Sequence, residues 1–233
     1  MKIALLGYGK MGKVIDAIAQ SRGHEIVARI GRNDDINQVS KAHVVIEFST
    51  PDSVLNNINT CIDLGVPIVC GTTGWNDELS NVSYHVQEKK CGLVYASNFS
   101  LGVNLFFELN KKLARMMQKF DQYQVSMQEI HHTQKLDAPS GTAITLAEGI
   151  ISNTNVQSWE LGSEPQDHIL PIEALREEDV KGTHIINYDS EVDQIQIKHT
   201  AHSRNGFALG AVIAAEWLMD KKGVFTMKDV LGL

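Results

Sequence analysis

The chain carries no run of about 18 or more apolar residues, so no segment is expected to span a membrane. It has no surplus of basic charge: 28 Asp and Glu outnumber 21 Lys and Arg, for a net charge of −7. A general nucleic-acid binder would show the opposite balance, although a local positive pocket is compatible with this one. Its three cysteines, Cys61, Cys70 and Cys91, include no C-x-x-C pair. An odd number of cysteines set in apolar segments reads as buried free thiols in a reducing cytoplasm, not as a disulfide framework. There is no zinc signature, no internal repeat, no low-complexity tract and no Pro/Ser-rich linker. The opening Met1-Lys2-Ile3-Ala4-Leu5-Leu6 is cut short by Gly7-Tyr8-Gly9-Lys10, so it reads as a buried strand and not a secretion signal. What remains is a soluble globular composition, with 233 residues enough for one large domain or two of about 100–130.

The first hundred residues alternate between short, nearly all-apolar runs and amphipathic segments. Strands are expected at 2–6, 25–30, 44–48, 67–70 and 93–96, with helices at about 13–21, from Pro51, and at about 77–89. Strands apolar on both faces, each followed by a helix, indicate a parallel sheet covered on both sides, a doubly wound α/β domain. The pattern changes after Asn98-Phe99-Ser100. A helix is expected over about 103–117, a strand over 124–130 and a helix from Ser140 to about 151. Further strands are expected at 183–188 and 194–199, and a closing Ala-rich helix at about 205–219. The polar stretch 153–179 reads as loop.

Gly7-x-Gly9-x-x-Gly12, between a strand and a helix, is the dinucleotide-binding fingerprint in its proper context. The first glycine permits a tight turn, the second lets pyrophosphate approach the backbone, and the third lets helix and strand pack closely. An acidic residue at the end of the second strand would bind the ribose of NAD, but Gly31 stands there, followed by Arg32. Losing the acid removes repulsion against a 2′-phosphate, and a guanidinium pairs with that phosphate in a forked contact. The reading is NADPH use at least as good as NADH. The alternative leaves Arg32 in solvent and gives the ribose to Asp34 or Asp35. Gly71-Thr72-Thr73 ends the fourth strand, at the edge where open α/β sheets bind ligands, and its backbone and hydroxyls are expected to touch nicotinamide or ribose.

The run from Glu129 to Ala143, Glu-Ile-His-His-Thr-Gln-Lys-Leu-Asp-Ala-Pro-Ser-Gly-Thr-Ala, puts His131, His132 and Lys135 just before a Ser140-Gly141-Thr142 that can open a helix. Histidine titrates near neutral pH and lysine can be tuned towards it, so both suit proton transfer. Ser140 is a candidate N-cap, and the N–H groups of Gly141 and Thr142 can cradle a carboxylate. Together they predict an enzyme acting on a small anionic substrate. Asp137-Ala138-Pro139 reads as a turn with no chemistry assigned. His199 and His202 show H-x-x-H spacing without a third ligand, so no metal is expected.

These segments, together with Ser97-Asn98-Phe99-Ser100-Leu101-Gly102-Val103-Asn104 and Ser203-Arg204-x-x-Phe207-Ala208-x-Gly210-Ala211, resemble the 4-hydroxy-tetrahydrodipicolinate (dihydrodipicolinate) reductase family over nearly the whole chain. The resemblance implies a Rossmann dinucleotide-binding domain, 1–102 and 205–233, completed by the C-terminal helix. It also implies an inserted α+β domain with a mixed sheet, 103–204, for substrate binding and oligomerisation, in a homotetramer. The implied reaction is NADPH- or NADH-dependent reduction of a small cyclic dicarboxylate in diaminopimelate and lysine biosynthesis. By position, His131 resembles the catalytic proton donor and Lys135 its partner, while His132, Gly141 and Thr142 resemble substrate-binding residues. Gly7, Gly9, Lys10, Met11, Gly12, Arg32, Gly71, Thr72, Thr73, Ser97, Asn98, Phe99 and Ser100 resemble cofactor-binding ones. Arg204 reads equally as a substrate-carboxylate ligand or a structural ion pair. Joints at 100–103 and 204–205 imply closure over cofactor and substrate. The chain departs from the family pattern in being short and in lacking the acidic end of its second strand.

Two rival readings stay open at this point. Another nicotinamide-dependent imine or ketone reductase would explain the glycines but not the His-His-Lys to Ser-Gly-Thr run. A nonenzymatic NADPH-binding redox sensor would need none of His131, His132 or Lys135.

Overall fold

The computed structural model describes every residue except Pro165 and Arg204. The chain divides into two compact units, Met1–Asn104 with Asn205–Leu233, and Leu105–Arg204. Arg204, weighed above as a substrate ligand, lies outside the described residues.

In the first unit a six-stranded parallel sheet runs β11-β5-β4-β3-β1-β2. Its strands are β1 (Lys2–Leu6), β2 (Glu25–Ile30), β3 (Val44–Glu47), β4 (Ile68–Cys70), β5 (Gly92–Tyr95) and β11 (Gly223–Phe225). The helices α1 (Lys10–Ser21), α2 (Pro51–Asp63), α3 (Leu79–Lys89), α6 (Asn205–Leu218) and α7 (Met227–Leu231) cover it. Two apolar clusters flank the sheet. Val54, Ile58 and Val86 pack on one side, and Ile15, Ala19, Ala211 and Ala215 on the other. Burial on both faces explains why the inner strands β1, β3, β4 and β5 are nearly all apolar rather than alternating, while the edge strand β2 carries Glu25 and Arg29. From β1 the chain passes to β2 on one side and then to β3 on the other. The crevice for a ligand is expected where the strand order reverses in this way.

The second unit holds a mixed five-stranded sheet, β10-β9-β6-β8-β7. Here β6 (Gln124–His131) pairs antiparallel with β9 (Thr183–Asp189) and parallel with β8 (Ile169–Arg176). At the edges, β10 (Gln194–Thr200) runs antiparallel to β9, and β7 (Ser158–Leu161) parallel to β8. Helices α4 (Leu101–Met117) and α5 (Gly141–Ile151) contribute Phe106, Ala114, Leu146 and Ile150 to a core with Met127, Ile172 and Ile186.

Some expectations need correcting. The stretch 153–179 is not loop: it contains β7 and β8. Its Ile-Leu-Pro-Ile run looks broken by Pro171, but the β6 ladder starts only at Ile172, so Pro171 pairs with β7 alone and no central hydrogen bond is lost. Helices α1 and α4 begin at Lys10 and Leu101, not near 13 and 103. Neither β11 nor α7 was anticipated. Three residues of strand are too short to show a period, and pairing with β5 is what makes them one.

Candidate active site

The turn after β1 is built around its glycines. Gly7 sits at φ +88°, and a Cβ there would lie 2.0 Å from the Phe48 carbonyl oxygen. A Cβ on Gly12 would lie 2.3 Å from the Gly7 carbonyl oxygen. Both positions exclude a side chain for internal reasons. At Gly9 a Cβ would meet no described residue within 4 Å. Its bare backbone faces open space, as approach by a pyrophosphate requires. No side chain caps α1 and no acidic residue sits in its first turn, so its N-terminal N–H groups are left for an anion. Tyr8 ties the loop to α1: its hydroxyl donates to Asp16 Oδ2 at 2.6 Å, and Arg29 Nε donates to the same oxygen at 2.6 Å. Burial opposes ionisation of Asp16, but the hydrogen bonds from Arg29, Tyr8 and Gln20 prevail and hold its carboxyl below the usual range.

Gly7 and Gly9 line a cavity of about 780 Å³, with Arg32, Asp34, Ser49 and Asn57 around it. Asp34 Oδ2 accepts the Gly31 N–H at 2.7 Å, so a carboxylate three residues on fills the strand end that Gly31 leaves bare. Asp35 instead accepts the Asn37 N–H at 3.0 Å. Lys10 is exposed, whereas Met11 packs partly into the core beside α6.

Gly71 is a packing requirement, because a Cβ would run into the Phe48 ring at 2.2 Å. Thr72 Oγ1 already accepts the Ser49 N–H at 2.8 Å and the Thr72 carbonyl accepts Trp75 Nε1 at 2.8 Å, while Thr73 is exposed. Ser49 also bonds the buried Glu47 carboxylate, which Asn57 Nδ2 reaches at 3.2 Å. Of the fifth-strand segment, Ser97 is exposed and Asn98 Oδ1 accepts the Ser100 N–H at 2.9 Å. Phe99 is core, with its ring tilted on Phe48 at 5.7 Å, and Ser100 is buried. The side chain of Phe99 is therefore committed to packing, and only its backbone is left for a ligand.

In the second unit the motif residues collect at the C-terminal end of β6. His131 is buried, its Nδ1 lies 3.5 Å from Glu129 Oε2, and its ring meets His184 edge-on at 5.2 Å. Burial pulls the His131 pKa below the ordinary imidazole range. His184 is pushed down to about 3, first by burial and then by neighbouring positive groups. His132 is half-buried, and its carbonyl accepts the Lys135 N–H at 3.1 Å. Lys135 does not bond His131: its Nζ donates to both Asp137 oxygens, at 2.8 and 2.7 Å. Asp137, read as mere turn, is held below the usual carboxyl range by that contact.

Ser140 is the N-cap of α5, its Oγ accepting the Ala143 N–H at 3.1 Å. A Cβ on Gly141 would meet no described residue within 4 Å. The Gly141 and Thr142 N–H groups have no protein partner among the described residues and stand at the positive end of an 11-residue helix.

Three participants escaped sequence reasoning. The motif reading assigns Glu129 no role, although a carboxylate on the core face of a strand, between Met127 and His131, is itself a signal. His184 and Arg176 reach it from β9 and β8, and no local pattern announces either. Glu129, His131 and His184 also place metal-ligand-type atoms within 4.8 Å of one another. The Arg176 guanidinium, 3.6 Å from the same carboxylate, is poor company for a dication. A further cavity, about 420 Å³, opens near Tyr123, Thr154 and His168 and contains none of the motif residues.

The family model for the N-terminus of dihydrodipicolinate reductase matches residues 1–99, and that for its C-terminus matches 102–231. The chain belongs to the dihydrodipicolinate reductase family. A 4-hydroxy-tetrahydrodipicolinate reductase from Christiangramia forsetii is 52% identical, covering 99% of this chain and 98% of that one. One from Chromobacterium violaceum is 36% identical, covering 97% and 96%. The solved dipicolinate-bound dihydrodipicolinate reductase from Paenisporosarcina sp. TG-14 shares the fold, at TM-score 0.78 and 22% identity over 97% of each chain. As a dihydrodipicolinate reductase family member, the chain is an oxidoreductase with a nicotinamide dinucleotide cofactor, NADPH or NADH. The open Gly9 backbone, the uncapped α1 and the adjoining cavity fit that group. Among the described residues no helix is long and apolar enough to cross a membrane.

Proposed function

We propose that this chain reduces 4-hydroxy-tetrahydrodipicolinate to tetrahydrodipicolinate, using NADPH at least as well as NADH, in diaminopimelate and lysine biosynthesis. The observation that carries the reading is the grouping of His131, Lys135 and the unpartnered Gly141 and Thr142 N–H groups at one end of β6 and α5. Such a grouping suits a small cyclic dicarboxylate, the class to which dipicolinate bound by the Paenisporosarcina reductase also belongs. When bound, the cofactor supplies hydride; Gly7, Gly9, Lys10, Met11 and Gly12 would hold its pyrophosphate, and Arg32 a 2′-phosphate. Gly71, Thr72, Thr73 and the segment 97–100 would border the nicotinamide, largely through backbone atoms.

The chain's own contribution is binding and proton supply. One substrate carboxylate sits on the Gly141 and Thr142 N–H groups, where the helix dipole and two donors favour it. Lys135 leaves Asp137 to hold a carboxylate as a point charge, and His132 borders the ring. Loss of the 4-hydroxyl with a neighbouring ring proton, as water, leaves a conjugated C=C–C=N system, and hydride received by that system would move charge towards the ring nitrogen. His131 gives a proton to the conjugated system as that charge develops, help worth about 10²–10⁴-fold in rate. Burial, with Lys135 and Arg176 behind it, holds the His131 proton affinity down, so an entering dicarboxylate, by adding negative charge nearby, raises it when the donor is needed.

The oligomer we propose is a homotetramer joined through the sheets of the second units. The face of that sheet away from α4 and α5 pairs Gln128 with Glu173 at 2.6 Å and Gln196 with Asn187 at 2.7 Å, and half-buried Ile130 and Leu175 face each other next to the first pair. Light scattering should give four times the 25.8 kDa chain mass. Three buried free cysteines suit a reducing compartment, the cytoplasm.

The test of the activity is coupled oxidation of NADPH with freshly made product of the aldol synthase that precedes this step. His131→Gln should cut kcat about 10²–10³-fold. No oxidation by the wild type, or an unchanged rate in the variant, would reject the assignment.

A further inference from the structure

Glu129 is fully buried on the core face of β6, two residues before His131. A carboxylate there must be matched by donors, since an unmatched buried charge is costly. Its neighbours come from every element around it. The Ser140 N–H, at the start of α5, lies 3.1 Å from each carboxylate oxygen. His131 Nδ1 lies 3.5 Å from Oε2, His184 Nε2 of β9 lies 3.7 Å from the same oxygen, and Arg176 Nη1 of β8 lies 3.6 Å from Oε1. Only the Ser140 contact is a hydrogen bond in this state. His131 Nδ1 is sealed from solvent and has no hydrogen-bond partner among the described residues.

Leaving a buried ring nitrogen unpartnered beside a carboxylate costs more than a small approach that would join them. The same carboxylate holds the N-cap residue whose helix presents the Gly141 and Thr142 N–H groups. Glu129 thus touches both the proton donor and the root of the anion cradle. We propose that Glu129 is a positioning residue. It fixes His131 with a proton on Nδ1, leaves Nε2 to carry and release the catalytic proton, and ties that orientation to the α5 cradle. The inference rests on the reading of His131 as proton donor. A base oriented by a buried carboxylate on its far nitrogen is a general arrangement for holding one imidazole tautomer.

The electrostatics agree. Burial opposes protonation of His131, and Glu129 is the foremost charge acting the other way, with a smaller contribution from Asp137. Lys135 and Arg176 act against protonation. His184, itself influenced by His199 of β10, titrates far below neutrality and adds no positive charge at neutral pH.

The test is the pH profile of kcat/KM for wild type, Glu129→Gln and Glu129→Asp. Glu129→Gln keeps an acceptor for the Ser140 N–H but loses the charge. Its alkaline limb should move down by about one pH unit or more, costing about tenfold or more in rate at pH 8. NADPH KM should be unchanged, and Glu129→Asp should recover part of the loss. An alkaline limb that stays in place in a folded Glu129→Gln enzyme overturns the proposal. If neither variant folds, 15N chemical shifts of His131 in the wild type decide, assigned against His131→Gln. A protonated Nδ1 is expected, and a bare Nδ1 with the proton on Nε2 overturns the proposal. Absence of NADPH oxidation in the wild type would count against the parent activity instead, and the tautomer measurement would still judge Glu129.

Discussion

The Lys135 ammonium lies 2.7 Å from Asp137 Oδ2, a contact between residues two apart on the loop that joins β6 to α5. The acid partner of the pair is well exposed, the Asp137 side chain being 62% accessible against 20% for Lys135. Pairs this exposed contribute about 0–1 kcal/mol, so a substrate carboxylate can take the lysine at little cost. Asp137→Asn should lower substrate KM by no more than about fivefold and leave kcat near wild type. Lys135→Ala should cut kcat by about 10²–10³-fold. Steady-state kinetics on both variants check this, and a large kcat loss in Asp137→Asn would show the pair to be part of the chemistry itself.

The glycines of the first loop should separate cleanly in their effects. Gly12→Ala forces a methyl against the Gly7 carbonyl, and overpacking of this kind should lower Tm by about 5–10 °C. Gly9→Val has open space around it, so Tm should hold while cofactor KM rises at least tenfold. Thermal melts alongside NADPH titrations would reveal the split. A Gly9→Val enzyme with normal cofactor KM would remove Gly9 from the pyrophosphate site.

On the proposed assignment, cofactor choice turns on two residues of opposite charge just after β2, Arg32 and Asp34. Arg32→Ala should raise KM for NADPH about 10–100-fold and change that for NADH by less than about threefold, the loss expected for one charge-assisted contact. Asp34→Asn preserves an acceptor for the Gly31 N–H, and removing its charge should favour NADPH further. A rise in NADH KM in Asp34→Asn would instead give the ribose to Asp34. A hundredfold NADH preference in the wild type would defeat the Arg32 assignment.

At the head of α5, Gly141→Val places a branched side chain where a Cβ now meets no described residue, and on the proposed function this obstructs the substrate carboxylate. Substrate KM should rise, with Tm changed by only about 1 °C. Isothermal titration with pyridine-2,6-dicarboxylate measures the same loss without turnover. Equal affinity in variant and wild type would move the carboxylate elsewhere.

Stability should depend on acid through His184. The unfolded chain protonates this histidine near 6.5, the folded chain only near 3. Between those values the unfolded state holds more protons, so stability falls as pH falls through that window. His131, its pKa also lowered by burial, adds to the same trend. Denaturant midpoints measured from pH 7 to pH 4 should decline, and His184→Gln should flatten the curve. A midpoint that rises towards pH 4 would contradict a buried neutral His184.

Much of this could be read without coordinates, because it follows from local chemistry. Apolar runs such as Lys2–Leu6 and Val44–Glu47 mark strands buried on both sides. Gly7, Gly9 and Gly12 mark a backbone that must turn sharply, lie open and pack closely. The Glu129–Ala143 run marks proton donors ahead of a helix start. Each signal sits within a dozen residues and needs no distant partner to be understood.

Contacts between remote segments decided the rest. Strands β7 and β8 exist because β6 supplies a ladder that tolerates Pro171, and β11 exists because β5 lies beside it. Asp34 fills the place of an absent acid only because the loop after β2 folds back on Gly31. The Phe99 ring packs on Phe48 and the Thr72 hydroxyl accepts the Ser49 N–H, contacts with another strand end that no local pattern records. Glu129 acquires its surroundings from His184, 55 positions along, and Arg176, 47 along, because antiparallel β9 and parallel β8 flank β6 in register. A local pattern records what a residue is, whereas the burial and charge that tune it come from whichever strands pack alongside.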